Sequence, residues 1–221
     1  MTPQGLDPDR LLALSYVAAP RRSALQALWH VDAALGAVLT GGREPMISRI
    51  KLAWWRDALA GLDQSKPPAE PLLQIIAEQL LPAGISGGEL ALMESGWSQL
   101  LTSEPLEDEE LDAYAAGRGG HLFAYSAELL GVAPSEEVRQ AGEAWALVDL
   151  ARHSTEAAEV ERAATFARRR SRPQRWPSRL RPLGMLAILS ERDSEAGRPR
   201  WEVQGAPGRM LRMLRHRLTG R

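Results

Sequence analysis

Ile47-Ser48-Arg49-Ile50-Lys51-Leu52-Ala53-Trp54-Trp55-Arg56-Asp57-Ala58-Leu59 is the stretch from which the fold is read. At ~100° per residue, Ile47, Ile50, Trp54 and Ala58 share one helical face. Leu52, Trp55, Leu59 and Leu62 share a second, about a third of a turn away. Arg49, Arg56 and Asp57 occupy the remaining arc. An apolar surface this wide predicts a helix with neighbours on more than one side, hence a central one. Trp54 and Trp55 bring roughly 150–250 Å² of buriable surface each. Two readings of the tryptophans stay open: packed core, or the lining of a cavity for an apolar ligand.

Outward from this stretch, punctuation marks further helices. Asp7-Pro8 reads as N-cap and first helical residue. Ala19-Pro20 ends that helix and seeds the next, which runs from Arg21 to Leu39 before Gly41-Gly42. Ser86 and Glu89 form a capping box. Glu107-Asp108-Glu109-Glu110 suits the positive end of a long helix reaching about Gly131. Ser135 caps a helix through His153, continued or restarted to Arg170, and two more follow near Leu180–Arg192 and Pro207–Leu218. No stretch alternates with period two in β-branched residues. The expectation is an all-α, single-domain bundle of about eight or nine helices over residues 1–221, with an Arg-rich part from about 161.

Composition narrows the function. Without cysteine, disulfides, thiolate metal sites and cysteine nucleophiles are excluded. No apolar run reaches the ~18–20 residues of a membrane span, and no signal-peptide pattern opens the chain, so a cytoplasmic protein is expected, with membrane contact at most peripheral. The net charge of −1 conceals an asymmetry. Residues 1–160 carry 11 basic and 23 acidic side chains, a net of −12, and residues 161–221 carry 16 arginines and 5 acids, a net of +11. Either the two parts dock on each other or the basic end meets an anionic partner. Arg168 to Arg181 holds seven arginines in fourteen residues. It is a candidate surface for a protein partner or an anionic membrane, and less so for nucleic acid.

Three places can carry chemistry. Asp32 lies on an apolar stripe with Leu25, Leu28, Leu35 and Leu39, where an unpaired carboxylate is costly. Either an Arg or His from a neighbouring helix pairs with it, or it is a functional acid in a cavity. Gly117, Gly119 and Gly120 weaken a helix by on the order of 1 kcal/mol each relative to Ala, which a kink, a close helix contact or space for a ligand would explain. Asp149, Arg152, His153 and Glu156 share a face with Trp145, and can be a solvated charged face, a weak metal site or an acid–base pair.

The runs Asp9-Arg10-Leu11-Leu12-Ala13-Leu14, Ala19-Pro20-Arg21-Arg22-Ser23-Ala24-Leu25-Gln26-Ala27-Leu28-Trp29 and Ile50-Lys51-Leu52-Ala53-Trp54-Trp55-Arg56-Asp57-Ala58-Leu59 resemble the squalene/phytoene synthase family. Tyr114 to Gly120, Leu129-Leu130-Gly131 and Gly142 to Arg152 are similar to its later helices. The resemblance covers about residues 7 to 190 and implies the all-α isoprenoid-synthase fold. Arg21, Arg22, Trp54, Trp55 and Arg152 are candidate substrate-binding residues. Two D-x-x-x-D motifs there hold Mg²⁺ ions that grip a prenyl diphosphate, hard cations on oxygen ligands. By position those motifs fall on Gly36 and Thr40, and on His153 and Ala157, none an aspartate. The family's Gln and Asn before the second motif appear as Ala146 and Asp149, and its GRxYLP segment is not evident. The resemblance is therefore to a degenerate branch, which includes an assembly factor for respiratory complex I. It implies a non-catalytic scaffold without a cofactor, binding an isoprenoid or quinone-like ligand or a protein partner. Two alternatives stand beside it. One is a Mg²⁺-dependent prenyl-diphosphate transferase with Asp32, Asp149, His153 and Glu156 as shifted catalytic candidates. The other is an Arg-mediated binder of anionic lipid or nucleic acid.

Overall fold

Helices begin where the caps put them. In the computed structural model, which describes residues 5–40, 44–101, 106–196 and 201–221, the Asp7 carboxylate accepts the Arg10 backbone N–H at 2.9 Å and opens α1, Pro8–Ser15. α2 (Ala19–Thr40), α3 (Pro45–Gly61) and α4 (Pro71–Gln79) follow. Ser86 and Glu89 close their reciprocal capping box at the start of α5, Gly87–Gln99. α6 (Asp108–Tyr114) passes through a π-helical turn, Ala115–Gly120, directly into α7, His121–Leu129. The Ser135 hydroxyl caps α8, Glu136–His153. α9 (Ala157–Arg170), a 3₁₀ turn at Ser178–Leu180, α10 (Arg181–Ala196) and α11 (Pro207–Thr219) complete the set. The described residues contain no strand, and the fold is all-α. The described residues form eleven α-helices, more than the eight or nine expected. One cause is Ser154, whose extended backbone (φ −70°, ψ 143°) ends α8 and forces α9 to start afresh.

The centre is not α3. Its Leu52, Trp55, Leu59 and Leu62 are buried against α5 and α2, but Ile50 is 63% and Trp54 47% exposed, and Met46 and Ile47 extend that open arc. The rod of α6, the π turn and α7 takes the central place, between α2, α5 and α8. Glycine makes this possible. A Cβ on Gly117 would lie 2.7 Å from the Gly96 Cα on α5, and one on Gly142 of α8 would run into the Gly119 carbonyl. At these two Gly–Gly crossings the backbones approach more closely than side chains at the same positions would allow. Close helix contact thus explains Gly117 and Gly119, whereas the nearest atom to a Cβ on Gly120 would be 3.5 Å away.

One hydrophobic core runs from Leu6 to Met213, so the Arg-rich part belongs to the same packed body. α10 packs on α1, α8, α9 and α11. Arg162 pairs with Asp108 at 2.6 Å, and Arg170 with Glu143 at 2.8 Å and Asp112 at 2.5 Å. The basic part is in this measure neutralised by the acidic part. Among the described residues, no helix is long and apolar enough to cross a membrane.

Candidate functional site

Asp32 is wholly buried on α2, and its partners come from three other elements. Arg118, in the π turn, donates Nε to Oδ1 at 2.9 Å and Nη2 to Oδ2 at 3.1 Å, a bidentate fork. Arg10 of α1 donates Nη1 to Oδ2 at 3.0 Å, and Trp97 of α5 donates its indole N–H to Oδ1 at 3.2 Å. A carboxylate offers about four acceptor sites, and here all are used.

Arg118 ties this centre to α8. Its Nη1 lies 2.7 Å from Asp149 Oδ2 and donates to the Tyr114 hydroxyl at 2.5 Å. Its guanidinium carbon lies 4.0 Å from the centre of the Trp97 ring and 4.8 Å from that of Trp145, so an indole flanks it from α5 and another from α8. Burial alone would disfavour its charge, but Asp32, Tyr114 and Asp149 outweigh burial and hold it protonated well above the ordinary range. For Asp149, burial pushes the carboxyl up, yet Arg118, His153 and Arg10 outweigh that and hold it below its usual value. Burial pushes the Tyr114 phenol well up, leaving it a neutral donor and acceptor.

A second buried charge cluster lies beside the first. Asp193 of α10 takes Arg152 Nη2 at 2.5 Å and Arg209 Nη1 at 2.7 Å. Arg209, on α11, also meets Asp9 of α1 at 2.8 Å, and Asp9 accepts the Gly205 backbone N–H at 3.0 Å. The space between the two clusters, lined by Asp149, Trp145 and Arg152, measures about 20 Å³. That is room for about one water.

The residues singled out from sequence separate into groups. Asp32 and Asp149 come together through Arg118, while Arg152 joins the Asp193 cluster and stacks 5.3 Å from the Trp201 ring. His153 is exposed at the end of α8, its ring nitrogen on the Asp149 carbonyl at 2.8 Å. Glu156 is exposed beyond the chain turn, where its N–H donates to Ser154 Oγ at 3.1 Å, so it does not join Asp149. Arg21 and Arg22 cap helix ends: Arg21 donates to the Leu129 carbonyl of α7, and Arg22 to those of Ser15 and Val17 after α1. Trp55 is buried in the core and Trp54 lies on the open arc, their rings 5.1 Å apart edge to face. Of the Arg168–Arg181 run, Arg168 donates to the Ser194 carbonyl at 2.6 Å and Arg181 to that of Arg217 at 2.9 Å. Arg172 and Arg175 line a cleft of about 420 Å³ over Ala144, Trp176 and Ile188.

Sequence reading passed over Asp9, Asp193 and Arg209. Asp193 carried the same signal as Asp32, a carboxylate in register with Leu186, Leu189 and Ser190 on one buried helical face. Asp9 and Arg209 sit 200 positions apart, and no local pattern joins them.

The arrangement is that of an all-α bundle closed at its centre by buried arginine–carboxylate clusters. A family model for squalene/phytoene synthase matches residues 4–166, and the chain belongs to the squalene/phytoene synthase family. Comparison with curated proteins and with solved structures gave no significant match. The Mg²⁺ ions of the family's active pattern do not fit the residues present. Gly36 faces the Trp97 ring, which would lie 2.8 Å from an added Cβ. Thr40, His153 and Ala157 bring no carboxylate, Asp32 is saturated, and Asp149 already holds Arg118. Among the described residues, no three His, Asp or Glu side chains are grouped to hold a metal ion.

Proposed function

We propose that this chain is a non-catalytic member of its family, keeping the synthase scaffold for binding or assembly. The observation that carries the reading is Asp32, whose four acceptor sites are filled by Arg118, Arg10 and Trp97. A diphosphate-ionising site needs carboxylates free to bind hard cations, with room beside them for the substrate. Here guanidinium groups already take the carboxylate oxygens of Asp32 and Asp149, and Trp97 and Trp145 pack against Arg118 from α5 and α8. Assembly of a respiratory complex is supported by the resemblance to the branch with degenerate motifs, an argument by analogy. An isoprenoid or quinone-like tail, on this reading, lies in the cleft beside Trp176, where Ala144 and Ile188 supply an apolar floor.

The test is calorimetry with Mg²⁺ and geranylgeranyl diphosphate, run beside an assay for released diphosphate. No Mg²⁺-dependent heat and no released diphosphate are expected. Diphosphate release that needs Mg²⁺ and is abolished in Asp149→Ala would replace this reading with that of a transferase.

A further inference from the structure

α11 is built inside out. At ~100° per residue, Met210, Leu211, Leu214 and Leu218 fall within a ~100° arc. That arc faces outward: Leu211 is 70% and Leu218 79% exposed, with Met210 also exposed and Leu214 half-buried. The inward face carries Arg209 and His216, with Met213 as its apolar anchor. A surface helix of a globular protein shows the opposite arrangement. The body holds α11 by charge, through Arg209 on Asp9 and Asp193, and leaves its apolar ridge without cover among the described residues.

The ridge is flanked by cations. Arg217 stands on one side, its guanidinium 5.6 Å from the centre of the Tyr16 ring on the α1 side. Arg215 stands on the other, where it joins Arg212, Arg175 and Arg221 around a cleft of about 620 Å³. Ile188 and Thr219 also line it, and among the described residues no acidic side chain contributes.

We propose that the outer face of α11 docks on an anionic lipid bilayer. The helix lies in the plane of the surface, with Met210, Leu211, Leu214 and Leu218 at the boundary of headgroups and acyl chains. Arg215 and Arg175 take lipid phosphates, in the bidentate geometry guanidinium favours. Charge selects this occupant. A second copy packed ridge to ridge would set these arginines against themselves, whereas an anionic leaflet offers an apolar layer directly beneath a negative one. The docking does not depend on whether the centre of the bundle is catalytic.

The experiment is sedimentation of the whole protein with phosphatidylcholine vesicles, with and without phosphatidylglycerol. Cosedimentation only with the anionic vesicles is expected, weakened by salt. The Leu211→Glu/Leu218→Glu variant should bind roughly tenfold or more weakly, since both side chains leave the acyl boundary. Both positions are exposed, so circular dichroism should show an unaltered fold. The chain has no cysteine, so Leu211→Cys carrying an environment-sensitive dye reports insertion directly. A blue shift on anionic vesicles alone supports the proposal. No shift on them, equal binding by the double-Glu variant, or a blue shift that appears on self-association without lipid would each overturn it.

Discussion

Replacing Arg118 with methionine should cost about 3–5 kcal/mol of stability, the range for removing one partner of a buried ion pair. Asp32 would lose two of its four donors and keep Arg10 and Trp97, while Asp149 would lose the guanidinium 2.7 Å away. Methionine restores much of the volume between Trp97 and Trp145, so the loss reports charge more than a cavity. Each broken pair forfeits about 4 kcal/mol of attraction at an effective dielectric of 20, and the relief of burying one fewer cation returns part of it. Arg10 limits the damage at Asp32, which keeps the total near that of a single broken pair. Urea unfolding at neutral pH measures the change. Asp32→Asn and the double variant complete a cycle in which the two losses should fall well short of adding. A loss below about 0.5 kcal/mol for Arg118→Met, or strict additivity in the cycle, would refute the claim that this cluster closes the centre.

Gly142→Ala should destabilise by about 1–3 kcal/mol despite alanine's better helix propensity, because its Cβ meets backbone that cannot yield. Gly120→Ala, where the nearest atom would be 3.5 Å away, should be neutral or stabilising, and thermal unfolding of the pair separates crowding from propensity. His216 is wholly buried beside Trp176 and Gly184, and burial, with Arg181, lowers its pKa to about 4. The unfolded chain takes up that proton near 6.5 and the folded chain only near 4. This residue's contribution is therefore complete above about pH 6.5 and falls by about 3 kcal/mol as the pH drops through that window. Urea titrations at several pH values should show this slope in the parent and its loss in His216→Leu.

Helix starts were legible because they are local: Asp7 with Pro8, Ser86 with Glu89, and Ser135 each recruit a donor within three residues. The need for a partner at Asp32 was legible too, since an acid on an apolar stripe must be neutralised. The partner was not, because Arg118 stands 86 positions away and reaches Asp32 only after two Gly–Gly crossings bring the rod in. α3 failed for another reason. A helical wheel measures the width of an apolar arc but not which part has a neighbour, so Trp54 and Trp55 read alike although one is 47% and the other 6% exposed. Asp149 and Glu156 were drawn on one wheel across a turn at Ser154 that separates them. Of the two readings the charge asymmetry allows, ion pairs of Arg162 and Arg170 with the acidic part belong to internal docking, while the inverted sidedness of α11 depends on the distant Asp9 and Asp193.

The pairing of Asp9 with Arg209 also sets an order of events during synthesis. At roughly 5–20 residues per second, the ribosome takes on the order of 10–40 s to travel between them. Until then α1 has a carboxylate that cannot be buried, and the seam it shares with α10 and α11 stays open to water. Made well before α10 and α11, α1 is thus among the last elements to settle, and a nascent chain halted before Arg209 should leave it within reach of proteases.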